Sequence, residues 1–267
     1  MVMLRYSGKN RRKPVISVII PTYNEENDIK DLLESLYNQR FKDFEVIVVD
    51  NFSNDNTLKI VKKFGRKLNL HIYQIKSNVS QARNFGAKKS KGKILVFLDA
   101  DNIVPEDYLM NVYKSFNPDA VSSAYYGWGK TIFNKLHKEG ISDIPFAIKR
   151  SVFLKVKFDE SLSAFEDYDF MKRLEKLGYT KVANKNCIVL HKNPDNIYDL
   201  FRQQKKWGEQ YYYYTKKESK EMSPLIFPVF LFLLLIKKIF FIYGYLLSGL
   251  NEIIKCKDKN NKYGQKN

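Results

Sequence analysis

Cysteine is scarce in this chain: Cys187 and Cys256 are its two thiols in 267 residues, which excludes a disulfide framework and is compatible with a reducing compartment. A secretory leader is also missing, because the basic N-terminus meets Pro14 before any apolar stretch of the needed length, so the body is expected to stay on the side of synthesis. There is no Gly-rich phosphate loop of the Walker type and no Gly-x-Gly-x-x-Gly after the first apolar run. A bound nucleotide would therefore be held by side chains and a metal. Acidic residues are few at both ends. Lys and Arg number 46 against 29 Asp and Glu, for a net +17; the first 14 residues hold five bases and no acid, and 216–267 hold ten Lys against four acids. The ends thus carry +11 and the body +6. A basic body would suit nucleic acid, but basic ends around a near-balanced body suit an anionic membrane surface. No nucleic-acid module is recognisable, and nucleic acid is not expected as a partner.

What is present is an alternation of short apolar runs and amphipathic segments. The β-branched run 15–20, stopped by Pro21, fits a buried strand. Over 26–39, Ile29, Leu32, Leu33, Leu36 and Tyr37 recur at helical spacing and give one apolar face. Further strands are expected at 44–49, 70–75 and 93–98, with helices near 57–64 and at 80–90. Such alternation predicts an α/β domain, a parallel sheet with helices on both faces.

The fourth run closes on Leu98-Asp99-Ala100-Asp101, so two carboxylates one residue apart emerge where a buried strand ends. In open α/β sheets ligands bind beyond the carboxyl ends of the strands, and paired carboxylates there can hold a hard divalent cation with phosphate oxygens; the same pair also occurs in solvated turns. The other strand ends match it: Tyr23-Asn24-Glu25, Asp50 with Ser53 and Asp55, and Asn78 through Asn84. Asp50 is suited to accept from a base edge or ribose and Tyr23 to stack on the base. For Asp50 and Ser53 the alternative is helix capping and turn chemistry.

The segments VISVIIPTYNEENDI, FEVIVVDNFSNDNT, VSQARNFGA and KILVFLDADN resemble, in order and spacing, the successive motifs of family 2 glycosyltransferases of the GT-A fold. The resemblance implies a Rossmann-like, mainly parallel twisted sheet and inverting transfer of a sugar from a nucleotide-sugar donor, a UDP- or GDP-sugar. Carried over by position, Pro21, Tyr23, Glu25, Asp50 and Ser53 line the nucleoside pocket with Arg83 beside it. Asp99 faces ribose and metal, Ala100 lines the same donor site, and Asp101 ligates the Mn²⁺ or Mg²⁺ that bridges the diphosphate.

The segment 143–179 resembles the family's acceptor-side block, centred on Glu166-Asp167. There the resemblance implies Asp167 as the general base, with Glu166 orienting the site; a neutral hydroxyl is a poor nucleophile, and a carboxylate within reach must take its proton. A solvated helix start, with Asp169 and the later Lys172 and Arg173, is the alternative. Where the family commonly has Gly before Phe-Asp-Glu, Lys157 stands before Phe158-Asp159-Glu160. His191 follows the apolar run 187–190 at another strand end and is a candidate third metal ligand or diphosphate contact. His71 and His137 have no such context. Gln203, Lys206 and Trp207 fall loosely in register with the Gln-x-x-Arg-Trp motif of processive synthases, with Lys206 near the phosphates; Lys lacks the fork of Arg, so the substitution is not neutral.

Beyond the 211–214 tyrosine run come two apolar stretches, 224–236 and 239–250, separated by Lys237-Lys238. Neither reaches the ~20 residues of a single span. Two short helices lying in or dipping into one leaflet fit both facts, with a buried helical hairpin, a dimer interface or a tilted span through the membrane as the alternatives. The expected organisation is a basic arm (1–14), a GT-A domain (15–215) and a C-terminal hydrophobic helical tail (216–267) that binds the membrane surface through 224–250. That places the protein on the cytoplasmic side of the cell membrane, peripheral or monotopic, with a lipid-linked or glycan acceptor; an oligomer stays open. Tyr125, Tyr126 and Trp128 read equally as sugar-binding or core aromatics. The competing function is a catalytically inactive sugar-nucleotide- or glycan-binding subunit.

Overall fold

In the computed structural model, the described residues are Val2–Tyr6, 13–128, 140–191 and the single positions 198, 202 and 205. The chain divides into two compact units, Met1–Asn193 and Pro194–Asn267. The first unit begins with β1 (Val2–Tyr6), β2 (Ile16–Thr22), α1 (Ile29–Tyr37), β3 (Phe44–Asp50), α2 (Thr57–Lys63), β4 (Leu70–Gln74), α3 (Val79–Lys89) and β5 (Ile94–Phe97). It continues with β6 (Asn102–Ile103), α4 (Tyr108–Lys114), β7 (Ala120–Trp128), β8 (Gly140–Lys149), α5 (Arg150–Val156), α6 (Glu166–Lys176) and β9 (Thr180–His191).

The predicted α/β sheet is present. Its strands run in the order β1-β4-β3-β2-β5-β8-β7-β9-β6, with β4, β3, β2 and β5 parallel at the centre. Around that centre β1 and β8 pair antiparallel, β7 and β9 are parallel to each other, and β6 closes the far edge against His191 and Leu190. Central strands are apolar on both sides because helices cover both faces. Val18, Ile20, Val46, Val48 and Val96 meet Ile29, Leu32, Leu33 and Leu36 of α1 in one cluster. Those four helical side chains are fully buried, roughly 1.5–3 kcal/mol of burial each. On the opposite face Ile19, Leu95 and Phe97 meet a phenylalanine group from β8, α5 and α6, with Phe97 and Phe153 centroids 4.7 Å apart. Gly86 lets α3 lie close to the sheet: a Cβ there would sit 2.6 Å from Ile19 Cγ2.

Two elements differ from expectation for local reasons. Helix α1 starts at Ile29 rather than at 26, because the Glu25 carbonyl accepts from the Asp28 and Ile29 N–H groups and closes a turn first. The last strand is longer than the apolar run 187–190, since pairing with β7 carries it back through the polar stretch to Thr180. Tyr125, Tyr126 and Trp128 lie on β7. In the second unit the described residues are helical, with the Arg202 guanidinium 5.0 Å from the Tyr198 ring centroid. Lys206, Trp207, 211–214 and 224–250 lie outside the described residues. No helix among the described residues is long and apolar enough to cross a membrane.

At the edge where β2, β3 and β5 begin, the Glu45 carboxylate is buried among donors. Ser17 Oγ and the Lys91 N–H donate to its Oε1 at 2.6 Å each, and His71 Nε2 lies 3.2 Å from Oε2. Burial opposes its charge, but these hydrogen bonds win and hold Glu45 below the usual carboxylate range. A carboxyl depressed in the folded state stabilises above its unfolded value, 4.5, and loses that contribution as pH falls through the lower folded value. Glu45→Gln should therefore cost about 2–4 kcal/mol near neutral pH. In urea titrations the penalty should shrink in acid, where the parent loses the same interaction.

Candidate active site

The loops after β2 and β3 are bound to each other by side chains that accept from backbone N–H groups. Asn24 N–H donates to Ser53 Oγ at 2.9 Å, Asn54 N–H to Asn24 Oδ1 at 2.9 Å, and Glu25 N–H to Thr57 Oγ1 at 2.7 Å. Glu26 N–H donates to Asp55 Oδ2 at 3.1 Å, and Glu26 Oε2 accepts from Asn56 N–H at 3.0 Å. Short polar residues at this spacing thus replace the ladder bonds that end with the strands. Asp50 anchors the pair from below. It is fully buried and accepts from Thr22 Oγ1, from Ser53 N–H and Oγ, and from Gln74 Nε2. Asp50 and Ser53 therefore carry the turn chemistry that the sequence left open. Tyr23 and Phe52 stay 53% and 44% exposed on these loops.

Asn102 shapes the Asp99-Ala100-Asp101 turn. Fully buried, it accepts from Asp99 N–H at 2.9 Å through Oδ1 and donates from Nδ2 to Asp101 Oδ1 at 3.2 Å. Ala100 is buried beneath the turn. Because β6 pairs with β9, Asn102 stands opposite His191, and His191 Nε2 reaches Asp101 Oδ2 at 3.0 Å. Burial disfavours the imidazolium, but the Asp101 hydrogen bond and charge, helped by Asp99 and Asp28, raise His191 above its usual range. Two of the three expected metal ligands thus meet.

Asp99 turns instead to Arg83. That guanidinium, 3% exposed, donates from one NH2 group to Asp99 Oδ1 at 2.6 Å and from the other to Glu166 Oε1 at 2.5 Å. Burial works against its charge, and the two carboxylates more than compensate, keeping Arg83 charged. Arg83 therefore joins the Asp motif to the first turn of α6. Next to it Asn84, which the sequence marked in the polar stretch Asn78 through Asn84 without giving it a role, donates to the Phe158 carbonyl at 2.9 Å and accepts from Phe158 N–H at 2.9 Å. Ser80 Oγ donates to the Leu162 carbonyl and Asn78 Nδ2 to that of Glu160. The polar face of α3 thus straps the 158–162 loop, which sets where α6 begins. At that beginning Glu166 is buried, and Asp167 beside it is half-buried with Oδ1 accepting from Tyr168 N–H at 2.8 Å. Asp169 is taken by Arg173 at 2.8 Å.

The charge at this edge is crowded. The Glu25 carboxyl is pushed up to about 8 by burial first and then by Asp101, Asp28, Asp99 and Asp55. A divalent cation would relieve that crowding, and the donor set of carboxylates plus imidazole suits Mn²⁺ or Mg²⁺. Among the described residues no group of three or more such side chains is already gathered for a metal. Asp101 with His191 is the pair that fits one.

Residues 17–176 match the family model described as Glycosyl transferase family 2, and the chain belongs to that family. The poly(ribitol-phosphate) beta-N-acetylglucosaminyltransferase TarS of Staphylococcus aureus is 30% identical over 231 residues, covering 78% of this chain and 36% of TarS. The chain thus spans about a third of that relative's length. Among solved structures, TarS 1-349 in complex with UDP-GlcNAc superimposes with a TM-score of 0.56 at 23% identity, covering 73% of this chain and 66% of that one. The mannosyltransferase PcManGT of Pyrobaculum calidifontis, in complex with GDP-Man and Mn²⁺, gives 0.62 at 20% identity, covering 80% and 67%. The expected GT-A architecture is the one these neighbours share.

The non-glycine residues with left-handed backbone among those described are Asn24, Phe52, Lys157 and Phe165, and each lies in a loop or helix end that builds this site. Lys157, at φ 53° and ψ 162°, occupies a region that glycine enters without strain. It is also the position where the family resemblance calls for Gly. Lys157→Gly should stabilise the protein by about 1 kcal/mol, seen as a higher urea midpoint at unchanged slope. Arg83→Met should do the reverse, costing about 3–5 kcal/mol because two carboxylates lose one buried partner. Arg83→Lys, which cannot fork to both, should recover part of that loss in the same titration.

Proposed function

We propose that this chain transfers a sugar, with inversion, from a UDP- or GDP-sugar to a hydroxyl of a glycan or lipid-linked acceptor. The observation that carries the reading is the Asp99–Arg83–Glu166 bridge, which ties the strand end of the Asp pair to the helix turn bearing Asp167. The exposed Tyr23 ring offers a face to the nucleobase, and Pro21 and Glu25 border the same loop. Arg83 holds Asp99 in place for the ribose. Asp101 and His191 are the residues to hold a divalent cation, whose charge would stabilise the departing nucleoside diphosphate. Asp167 takes the acceptor proton while the acceptor oxygen attacks the anomeric carbon from the face opposite the diphosphate. The new C–O bond forms as the C–O bond to phosphate breaks, which inverts the centre. Glu166, fixed by Arg83, positions the turn on which Asp167 stands.

TarS acts, by its name, on poly(ribitol-phosphate), which supports a polymeric, anionic acceptor for this chain as well. On the same reading, 224–250 would associate with the cytoplasmic face of the membrane.

A panel of nucleotide sugars with Mn²⁺ or Mg²⁺, read by released diphosphate, tests the activity and identifies the donor. Absence of release with every donor would leave a binding subunit instead. Asp167→Asn should lower turnover by roughly 10²–10⁴-fold while donor affinity, measured by calorimetry, stays nearly unchanged. Undiminished turnover would remove Asp167 as the base.

A further inference from the structure

The modest charge of the body is not evenly spread. The rim after β2, β3 and β5 carries Glu25, Asp28, Asp55, Asp99 and Asp101, whereas the opposite rim, where the parallel strands begin, is lysine-rich. Lys13, Lys42, Lys67 and Lys93, all exposed, precede β2, β3, β4 and β5. The last turns of α2 and α3 bring Lys62, Lys63, Lys88 and Lys89 to the same rim. Helix dipoles favour cations in those last turns, but they do not account for Lys13, Lys67 and Lys93, which lie in loops entering strands. Asp43 is the exposed acid of these strand entries, and the Glu45 carboxylate is buried and satisfied.

This rim is also concave. A cleft of about 510 Å³ opens between the end of α1 and the starts of β3 and β4, lined by Tyr37, Asn38, Lys42, Lys67 and Asn69 among others, with Asp43 as its one carboxylate against the two ammonium groups. Tyr37 is 45% exposed, and the Lys42 and Lys67 ammonium groups stand 5.9 and 5.5 Å from its ring centroid. Lys42 Nζ also donates to the Tyr37 carbonyl at 3.0 Å. Two cations are thus held in advance around one aromatic ring, with side-chain amides beside them. That combination suits a polyol or sugar unit bearing an anionic group: ammonium groups for the charge, amides and the phenol for hydroxyls, and a hollow that a flat bilayer cannot enter.

We propose that this cleft and its lysine rim form a second binding site, remote from the transfer site, for an anionic glycan chain. It would retain polymer through one segment while another segment reaches the opposite edge, raising the local concentration of acceptor.

Binding can be read without donor or turnover, so the result is independent of the proposed activity. The full chain is titrated with a phosphodiester-linked glycerol oligomer, with neutral dextran, and with vesicles of phosphatidylglycerol. The oligomer should bind in a salt-sensitive manner, dextran should not, and the Lys42→Glu/Lys67→Glu pair should weaken oligomer binding about tenfold. Lys42→Arg/Lys67→Arg should retain binding, and thermal denaturation of both pairs separates loss of the site from loss of the fold. Unchanged binding in a folded Glu pair would overturn the proposal. So would vesicles that bind equally and displace the oligomer, because the rim would then be a membrane surface.

Discussion

A buried guanidinium is the constraint around which this site is organised. Taking Arg83 out of water carries a desolvation penalty of several kcal/mol, recovered only if carboxylates meet it with good geometry. Asp99 and Glu166 do so from two different elements, the end of β5 and the first turn of α6. The requirement propagates outward. For Glu166 to arrive, the 158–162 loop must be held against α3, which is what Asn78, Ser80 and Asn84 accomplish through its carbonyl and N–H groups. For α3 to be close enough, Gly86 must present no side chain to Ile19. A short stretch of one helix therefore combines close packing, loop retention and the electrostatic link between the two halves of the site.

The second organising device is reciprocal loop binding. The turns after β2 and β3 leave their ladders with unpaired backbone donors, and acidic, amide and hydroxyl side chains of each turn satisfy donors of the other. Rigid turns of this kind tolerate the left-handed backbone at Asn24 and Phe52, because the surrounding hydrogen bonds over-determine it. Asp50 belongs to the same device: with four donors on its carboxylate it fixes the platform on which Tyr23 is displayed.

The first half of the fold was legible in the sequence because its signals are local. Strands β2, β3 and β5 are compact apolar runs rich in β-branched residues, and α1 shows its buried face at helical spacing. Beyond Asp101 the signals weaken for a physical reason. Strands β7 and β9 are defined by pairing with each other across a bulge, and the first half of β9 is polar, so no periodicity announces it. The site divides in the same way. Its carboxylates could be read from strand ends, but Asn84 acts through backbone groups of Phe158, distant in sequence, and Arg83 reveals its two partners only once α3, β5 and α6 are assembled. Charge polarity across the sheet was hidden for the same reason, since a near-balanced sum says nothing of where the charges stand.

That polarity bears on how the proposed reaction can begin. A nucleoside diphosphate is an anion, and the edge that would receive it already holds Glu25, Asp28, Asp55, Asp99 and Asp101. Among the described residues, Arg83 there is divided between Asp99 and Glu166, and His191 is engaged by Asp101. The Glu25 carboxyl is pushed up to about 8, by burial first and then by Asp101, Asp28, Asp99 and Asp55. An anionic donor approaching this rim therefore needs additional positive charge, and the Asp101–His191 pair is where the side-chain chemistry would accept it. On this reading the carboxylate excess gathered at this edge is also what would make cation and donor binding mutually reinforcing, each reducing the repulsion that the other meets.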